Sequence, residues 1–266
     1  MSARLIRSSL PGLFALLLSL PLLACPAGVS TPVLVGWEPW EPYTFTDDTG
    51  RETGVDLEVQ REVLRRMGCT VQFVNHPWKR LLAEIEQGVM HMTGSASFSD
   101  ERAQWGHFSI PYRKEKMQLL VREGEAAGFR ETIRTLRDLP GHGFVLGITR
   151  GYYYGPEVDW LEQQADYFAD LQPVSEDALN FHKLALGRID GFLGDPLPTA
   201  VGIRAQGLTL RTEPLLTITE GDIHVLISRK AVTDEFLQRF NQELQAMISE
   251  GFVDKLIARF GGMPLP

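Results

Sequence analysis

Cysteine is scarce in this chain: Cys25 and Cys69 are the only two in 266 residues. Two cysteines form neither a zinc cage nor the disulfide framework of a small secreted scaffold. Basic charge is also short, with 26 Lys and Arg against 34 Asp and Glu and a formal net charge of −8. An acidic chain without a basic run repels phosphate backbones, which argues against nucleic acid as a partner. No apolar stretch after residue 30 approaches the length of a membrane span. The six histidines fall in neither His-x3-His nor His-Glu spacing, so no metal site is expected. Neither a Gly-x-Ser-x-Gly elbow nor a Walker-type loop occurs, and no cofactor is expected. What is present is a composition able to bury a real core, 44% hydrophobic and 23% charged. The length suits one large domain or two ordinary ones.

Residues 1–27 read as a signal peptide. Arg4 and Arg7 supply a positive start, no acid precedes Glu38, and Leu13 to Ala24 is a short apolar core. The exit Leu22-Leu23-Ala24-Cys25 resembles a bacterial lipoprotein box, which makes Cys25 a candidate for lipidation. Ordinary cleavage near Ala24 or Ala27 stays open as the alternative. Either route leads out of the cytoplasm, to a periplasmic protein that is free or lipid-anchored. The apolar neighbours of Cys69 favour a buried thiol, with Cys25 as its one available partner.

Beyond the leader, strand and helix patterns alternate. Val33-Leu34-Val35 reads as a buried strand, and Val55, Val59, Val63 and Met67 line one face of a helix that Gly68 stops. Val71 to Val74 is the next strand. Trp78, Leu81, Leu82 and Ile85 form the inner face of a second helix after Pro77, and a third strand is expected over Val89 to Met92. The pattern repeats with strands at Leu119 to Val121 and Val145 to Ile148, around a polar stretch at 122–143. A helix capped by Ser175, a strand at Ile189 to Leu193, a helix opened by Asp195-Pro196 and a last strand at Ile223 to Ile227 follow. Two terminal helices are built on Phe236, Phe240 and Leu244, then Phe252, Leu256 and Phe260. Alternation with short links implies βαβ units and mostly parallel sheet, an α/β fold.

Several motifs then occur in a telling order. They are Gly54-Val55-Asp56-Leu57, Pro77-Trp78, the run Gly94-Ser95-Ala96-Ser97-Phe98-Ser99-Asp100-Glu101-Arg102, and Phe108-Ser109-Ile110-Pro111-Tyr112. Asp190-Gly191 through Gly194-Asp195-Pro196 and Gly251-Phe252-Val253-Asp254-Lys255 complete the set. Over about residues 33–260 the chain resembles the family 3 extracellular solute-binding proteins, the polar amino-acid receptors of ABC importers. The resemblance implies a two-lobed periplasmic-binding-protein-like fold of type II with a ligand cleft between the lobes. One lobe would be discontinuous, 29–112 and 223–266, and the other would be 113–222, with hinge crossovers near 112–116 and 219–222.

The same resemblance implies site residues. Arg102 would hold a ligand α-carboxylate, a task suited to a planar guanidinium with parallel donors; taken alone, it reads as a surface arginine paired with Asp100 or Glu101. Ser97 would offer its hydroxyl and Ser95 its backbone. Asp195 would take the α-ammonium, although an Asp before Pro also reads as an ordinary helix cap. Trp78 and either Trp37 or Trp40 would wall the ligand side chain, with Tyr43 and Phe45 left to packing. The chain departs from the family after Gly147, where Tyr152, Tyr153 and Tyr154 stand in place of small residues. Tyr152 could fill part of the pocket, and Glu38 could favour a cationic side chain.

The function implied is capture of a small polar ligand, an L-amino acid or derivative, by a monomer that delivers it to an inner-membrane ABC permease. It is a transport role without catalysis. A cyclohexadienyl or arogenate dehydratase-like enzyme of the same fold, and a sensory solute-binding module, are the alternatives.

Overall fold

The computed structural model describes residues 25–265 except residue 168. The expected leader therefore lies outside the described residues apart from its last three positions. In chain order the first half contains β1 (Val33–Trp37), β2 (Phe45–Thr46), β3 (Glu52–Thr53), α1 (Val55–Arg66), β4 (Val71–Asn75), α2 (Trp78–Gln87), β5 (Met92–Ser97), α3 (Asp100–Trp105) and β6 (Gly106–Phe108). The long strand β7 (Arg113–Arg122) leads to α4 (Ala126–Phe129), β8 (Leu146–Thr149), α5 (Pro156–Glu162), β9 (Leu171–Val174), α6 (Asp177–Ala185), β10 (Gly191–Gly194) and α7 (Pro196–Ala205). The return strand β11 (Thr212–Ser228) brings the chain back to α8 (Asp234–Ser249) and α9 (Phe252–Phe260).

One sheet runs in the order β4-β1-β5-β11-β7-β10-β8-β9, with β6 paired to β11. Its two flanks are parallel, β4-β1-β5 and β10-β8-β9, as the βαβ alternation requires. Between them β7 and β11 lie antiparallel, from Thr212 opposite Arg122 to Ile223 opposite Arg113. The architecture is the two-flanked α/β arrangement of periplasmic-binding-protein-like folds, with its parallel flanks joined through two long central strands.

Packing explains the first flank. Val55, Val59 and Val63 on α1 face Val33 and Val35 of β1 and Phe236, Phe240 and Leu244 of α8, all buried in one core. Each such side chain contributes about 1.5–3 kcal/mol on burial. Helix α1 begins sharply because Gly54 has φ 119°, and a Cβ there would lie 2.3 Å from the Tyr43 carbonyl oxygen. No other residue fits that turn.

Some boundaries differ from the sequence expectations. The third strand is Met92–Ser97, and Val89, 57% exposed, sits in the turn after α2. There the Val89 and Met90 amides both bond the Glu84 carbonyl, which closes the helix. Glu176, not Ser175, holds the N-cap position of α6, with no side-chain capping bond. The last strand starts at Thr212, 11 positions earlier than expected, because Pro214 and Gly221 mask its pattern. The polar stretch 122–143 buries Ala126, Ile133, Leu136 and Leu139. Cys69 is not a thiol: it forms a disulfide with Cys25. A sulfur so bonded is not free to carry a thioether lipid, so the disulfide replaces the lipidated Cys25 suggested by the sequence.

Candidate ligand pocket

The carboxyl ends of β1 and β5 open onto the central strands, where open α/β sheets place their ligands. A pocket of about 450 Å³, its mouth included, lies there. Trp37, Glu38, Trp40, Trp78, Ser95, Ser97, Arg102 and Tyr152 all line it. Tyr153 joins them, and Thr44, Thr93, Glu115 and Met117, which sequence reasoning did not select, complete the wall.

Arg102 reaches the pocket from α3, whose first turn is capped by the Ser99 hydroxyl accepting from the Arg102 amide. Its Nη1 donates to the Ser97 carbonyl at 2.9 Å and its Nη2 to the Gly151 carbonyl at 2.8 Å. Only 5% of the residue is exposed. Burial draws its pKa down to about 10. Neither Asp100 nor Glu101 bonds it, and among the described residues no carboxylate lies within ion-pair distance of it. A guanidinium has five N–H donors, so the two carbonyls leave donors unengaged.

Glu115 supplies the opposite charge. It lies on β7, where alternation turns Arg113, Glu115 and Met117 inward. It is 6% exposed, and burial raises its pKa to about 8 although Arg113 pulls the other way. The Ser97 hydroxyl donates to its Oε2 at 3.3 Å, while its buried Oε1 has no partner. The Trp37 indole nitrogen is likewise buried and unpartnered. Unmet polar atoms in a pocket wall are costly unless a ligand or water meets them.

Beneath this pair, Arg113 and Asp56 form a fully buried bidentate ion pair, Nε to Oδ1 and Nη2 to Oδ2, both 2.8 Å. Tyr43 lies under the Arg113 guanidinium at 3.7 Å, a cation–π contact. The Ser95 hydroxyl bonds Asp56, and the Ser95 amide donates to the Tyr112 hydroxyl at 3.1 Å. Ser95 adopts φ 55°, a conformation these two bonds hold. Its hydroxyl and amide are thus engaged by the protein.

The aromatic wall is tied together across the two flanks. Tyr152 stands edge-on to both Trp40 and Trp78. Its hydroxyl donates to Glu38 Oε1 at 2.7 Å, and the Trp78 amide donates to Oε2 at 2.9 Å. With both oxygens engaged, Glu38 is less available to a cationic side chain than expected. Burial raises its pKa to about 7 against the pull of the Tyr152 bond. The Trp78 indole donates to the Gly151 carbonyl, the same oxygen that Arg102 meets.

Asp195 is not brought to the pocket. It caps α7, with Oδ1 accepting from the Leu197 amide at 2.8 Å and Oδ2 from the Tyr43 hydroxyl at 3.2 Å. Capping and Tyr43 occupy the carboxylate expected to meet an ammonium. Asp177, at the start of α6, is a further acid behind the aromatic wall; it accepts from the Thr149 hydroxyl, and burial raises its pKa to about 6. No group of three His, Cys, Asp or Glu side chains among the described residues is placed to hold a metal ion.

Several known proteins are similar to this chain. The L-cystine-binding protein TcyJ of Escherichia coli is 26% identical over 235 residues, 86% of this chain and 82% of its own. A histidine kinase sensor domain similar to periplasmic binding proteins superposes with a TM-score of 0.72 at 23% identity, covering 88% of this chain and 97% of that one. An ancestral arginine-binding protein bound to arginine gives a TM-score of 0.70 at 19% identity, over 86% and 98%. Residues 33–263 match the bacterial extracellular solute-binding proteins, family 3, and the chain belongs to that family.

Proposed function

We propose that this protein is an extracytoplasmic receptor that captures an L-amino acid or a close derivative and hands it to an ABC importer. The reading rests chiefly on one observation. A buried guanidinium without a carboxylate partner and a buried carboxyl with an unpartnered oxygen line the same pocket. An amino-acid headgroup carries the complementary pair. Its carboxylate would meet the free donors of Arg102, and its ammonium would meet Glu115, in the place the family resemblance assigned to Asp195. The indoles and Tyr152 would enclose the side chain. Each charge-assisted bond contributes about 1.5–3 kcal/mol, and micromolar affinity corresponds to about −8 kcal/mol, so the two ends supply a large share.

Ligand entry requires the two flanks to part, with 29–112 and 223–266 as one lobe and 113–222 as the other. The antiparallel stretch in which Lys116 faces Glu220 and Lys114 faces Asp222 would be the bend. Relatives named as amino-acid-binding proteins of ABC importers support a permease partner and a periplasmic setting.

One observation favours an enzyme of the same fold: Glu38 and Glu115 are two buried carboxyls poised near neutrality in one pocket. A thermal-shift screen of amino acids and organic acids, followed by product analysis, separates the readings. Stabilisation by an intact L-amino acid supports the receptor. Consumption of prephenate or arogenate supports the enzyme and overturns the transport role.

A further inference from the structure

With a headgroup between Arg102 and Glu115, a ligand side chain would point at the aromatic wall. Toward the central strands the pocket is partitioned off. The Ser97 hydroxyl bonds Glu115 there at 3.3 Å, and a separate cavity begins beyond the two residues. On the opposite side Tyr152 closes the wall. Its ring stands edge-on to Trp40 and to Trp78, with centroids 6.2 Å apart in each pair. That is contact distance for edge-on rings, so no side chain passes between Tyr152 and either indole.

Tyr152 is held at its hydroxyl and at its backbone. The hydroxyl donates to Glu38 Oε1 at 2.7 Å, and the Trp78 amide fixes Glu38 in turn through Oε2. The Tyr152 amide donates to the Thr149 carbonyl at 3.2 Å. The Gly151 carbonyl just before it receives Arg102 Nη2 at 2.8 Å and the Trp78 indole at 3.0 Å. Gly151 has φ 85°, and a Cβ there would lie 3.3 Å from the Cα of Lys79. Glycine lets the turn after β8 approach the start of α2 this closely. These contacts all join protein atoms, so closing the two flanks around a ligand would return the ring to the same place.

We propose that Tyr152 is a specificity-determining residue that limits the length of the ligand side chain, so that the protein selects amino acids with short side chains. This rests on the amino-acid reading above. The residue acts by filling space: its ring takes the volume that a longer side chain would need, and the bonds to Glu38 and through Gly151 resist its displacement.

The test titrates L-alanine and L-phenylalanine calorimetrically into the wild type, Tyr152→Phe and Tyr152→Ala. In the wild type, alanine should bind at least about tenfold more tightly than phenylalanine, because overfilling a packed wall is costly. Tyr152→Ala should bind phenylalanine at least about tenfold more tightly than the wild type does. A gain of affinity separates a size limit from damage to the fold, which only weakens binding. Tyr152→Phe keeps the ring and should keep the wild-type ratio of the two affinities within about twofold. Phenylalanine binding the wild type as tightly as alanine overturns the size limit without any variant. An unchanged ratio in Tyr152→Ala overturns it too, and in both cases the headgroup reading stands. Failure of every amino acid to bind the wild type removes both.

Discussion

Replacing Glu115 by Gln removes the one charge that the proposed headgroup site offers to an ammonium, and keeps the shape of the side chain. A charged hydrogen bond is worth about 1.5–3 kcal/mol and a neutral one about 0.5–1.5 kcal/mol, so the change should cost about 1–1.5 kcal/mol. At pH 8 that is roughly a five- to tenfold loss of affinity for whichever amino acid stabilises the parent. The pH dependence is more telling. With its pKa at about 8, Glu115 is mostly protonated at pH 6 and must lose that proton to hold an ammonium. Protonated Glu115 is a neutral partner like Gln, so wild-type affinity should rise roughly five- to tenfold from pH 6 to pH 8. Glu38, with a pKa of about 7, is present in both proteins, so the difference between wild type and variant isolates Glu115. Stability runs the other way. The folded protein holds a proton on Glu115 that the unfolded chain releases near the ordinary 4.5, so unliganded stability falls as pH rises from there toward 8. Glu115→Gln should melt above the wild type at pH 8, with the gap closing toward pH 5. Calorimetric titration and thermal melts at pH 6, 7 and 8 provide both curves. Wild-type affinity in the variant at pH 8, with an unchanged pH slope, would refute the role of Glu115.

Arg102→Lys should weaken amino-acid binding roughly ten- to a hundredfold by titration calorimetry. It should also lower the unliganded melting temperature, because the Ser97 and Gly151 carbonyls lose a shared donor. Asp195→Ala should cost about 1–2 kcal/mol in chemical denaturation through loss of the α7 cap, with ligand affinity within about twofold of wild type; a large affinity loss would restore Asp195 to the site. Replacing Cys25 and Cys69 by Ser opens a covalent loop with a sequence separation of 44 residues and should reduce stability by about 4 kcal/mol. Ligand affinity should not change, since neither cysteine lines the pocket.

Much of the frame was legible because its signals are local. The spacing of Val55, Val59 and Val63 marks α1, and the run from Gly94 to Arg102 marks both the end of β5 and the turn into α3. That motif also pointed to Arg102 and Ser97, and Pro77-Trp78 to Trp78, and all three line one pocket. Glu115 was not legible in the same way. In Arg113-Lys114-Glu115-Lys116-Met117 every residue but the last is charged, which reads as exposed. The hint was alternation, since positions 113, 115 and 117 share the buried face of β7. Burial of Arg113 is possible only because Asp56 meets it from α1, 57 positions away in sequence. The second partner of Asp195 was hidden for a similar reason. Tyr43 was set aside as packing, yet its hydroxyl occupies Oδ2 across a separation of 152 residues. Long-range pairings of this kind have no periodicity for a sequence reading to find.

The central claim is that one amino-acid headgroup spans Arg102 and Glu115, and three titrations test it on the unmodified protein. They compare the best-binding L-amino acid with its carboxamide and with its N-acetyl derivative at pH 8. The carboxamide removes the charge meant for Arg102, and acetylation removes the charge meant for Glu115. Each derivative should bind at least about tenfold more weakly than the parent amino acid. Binding of either derivative as tightly as the parent would contradict the account.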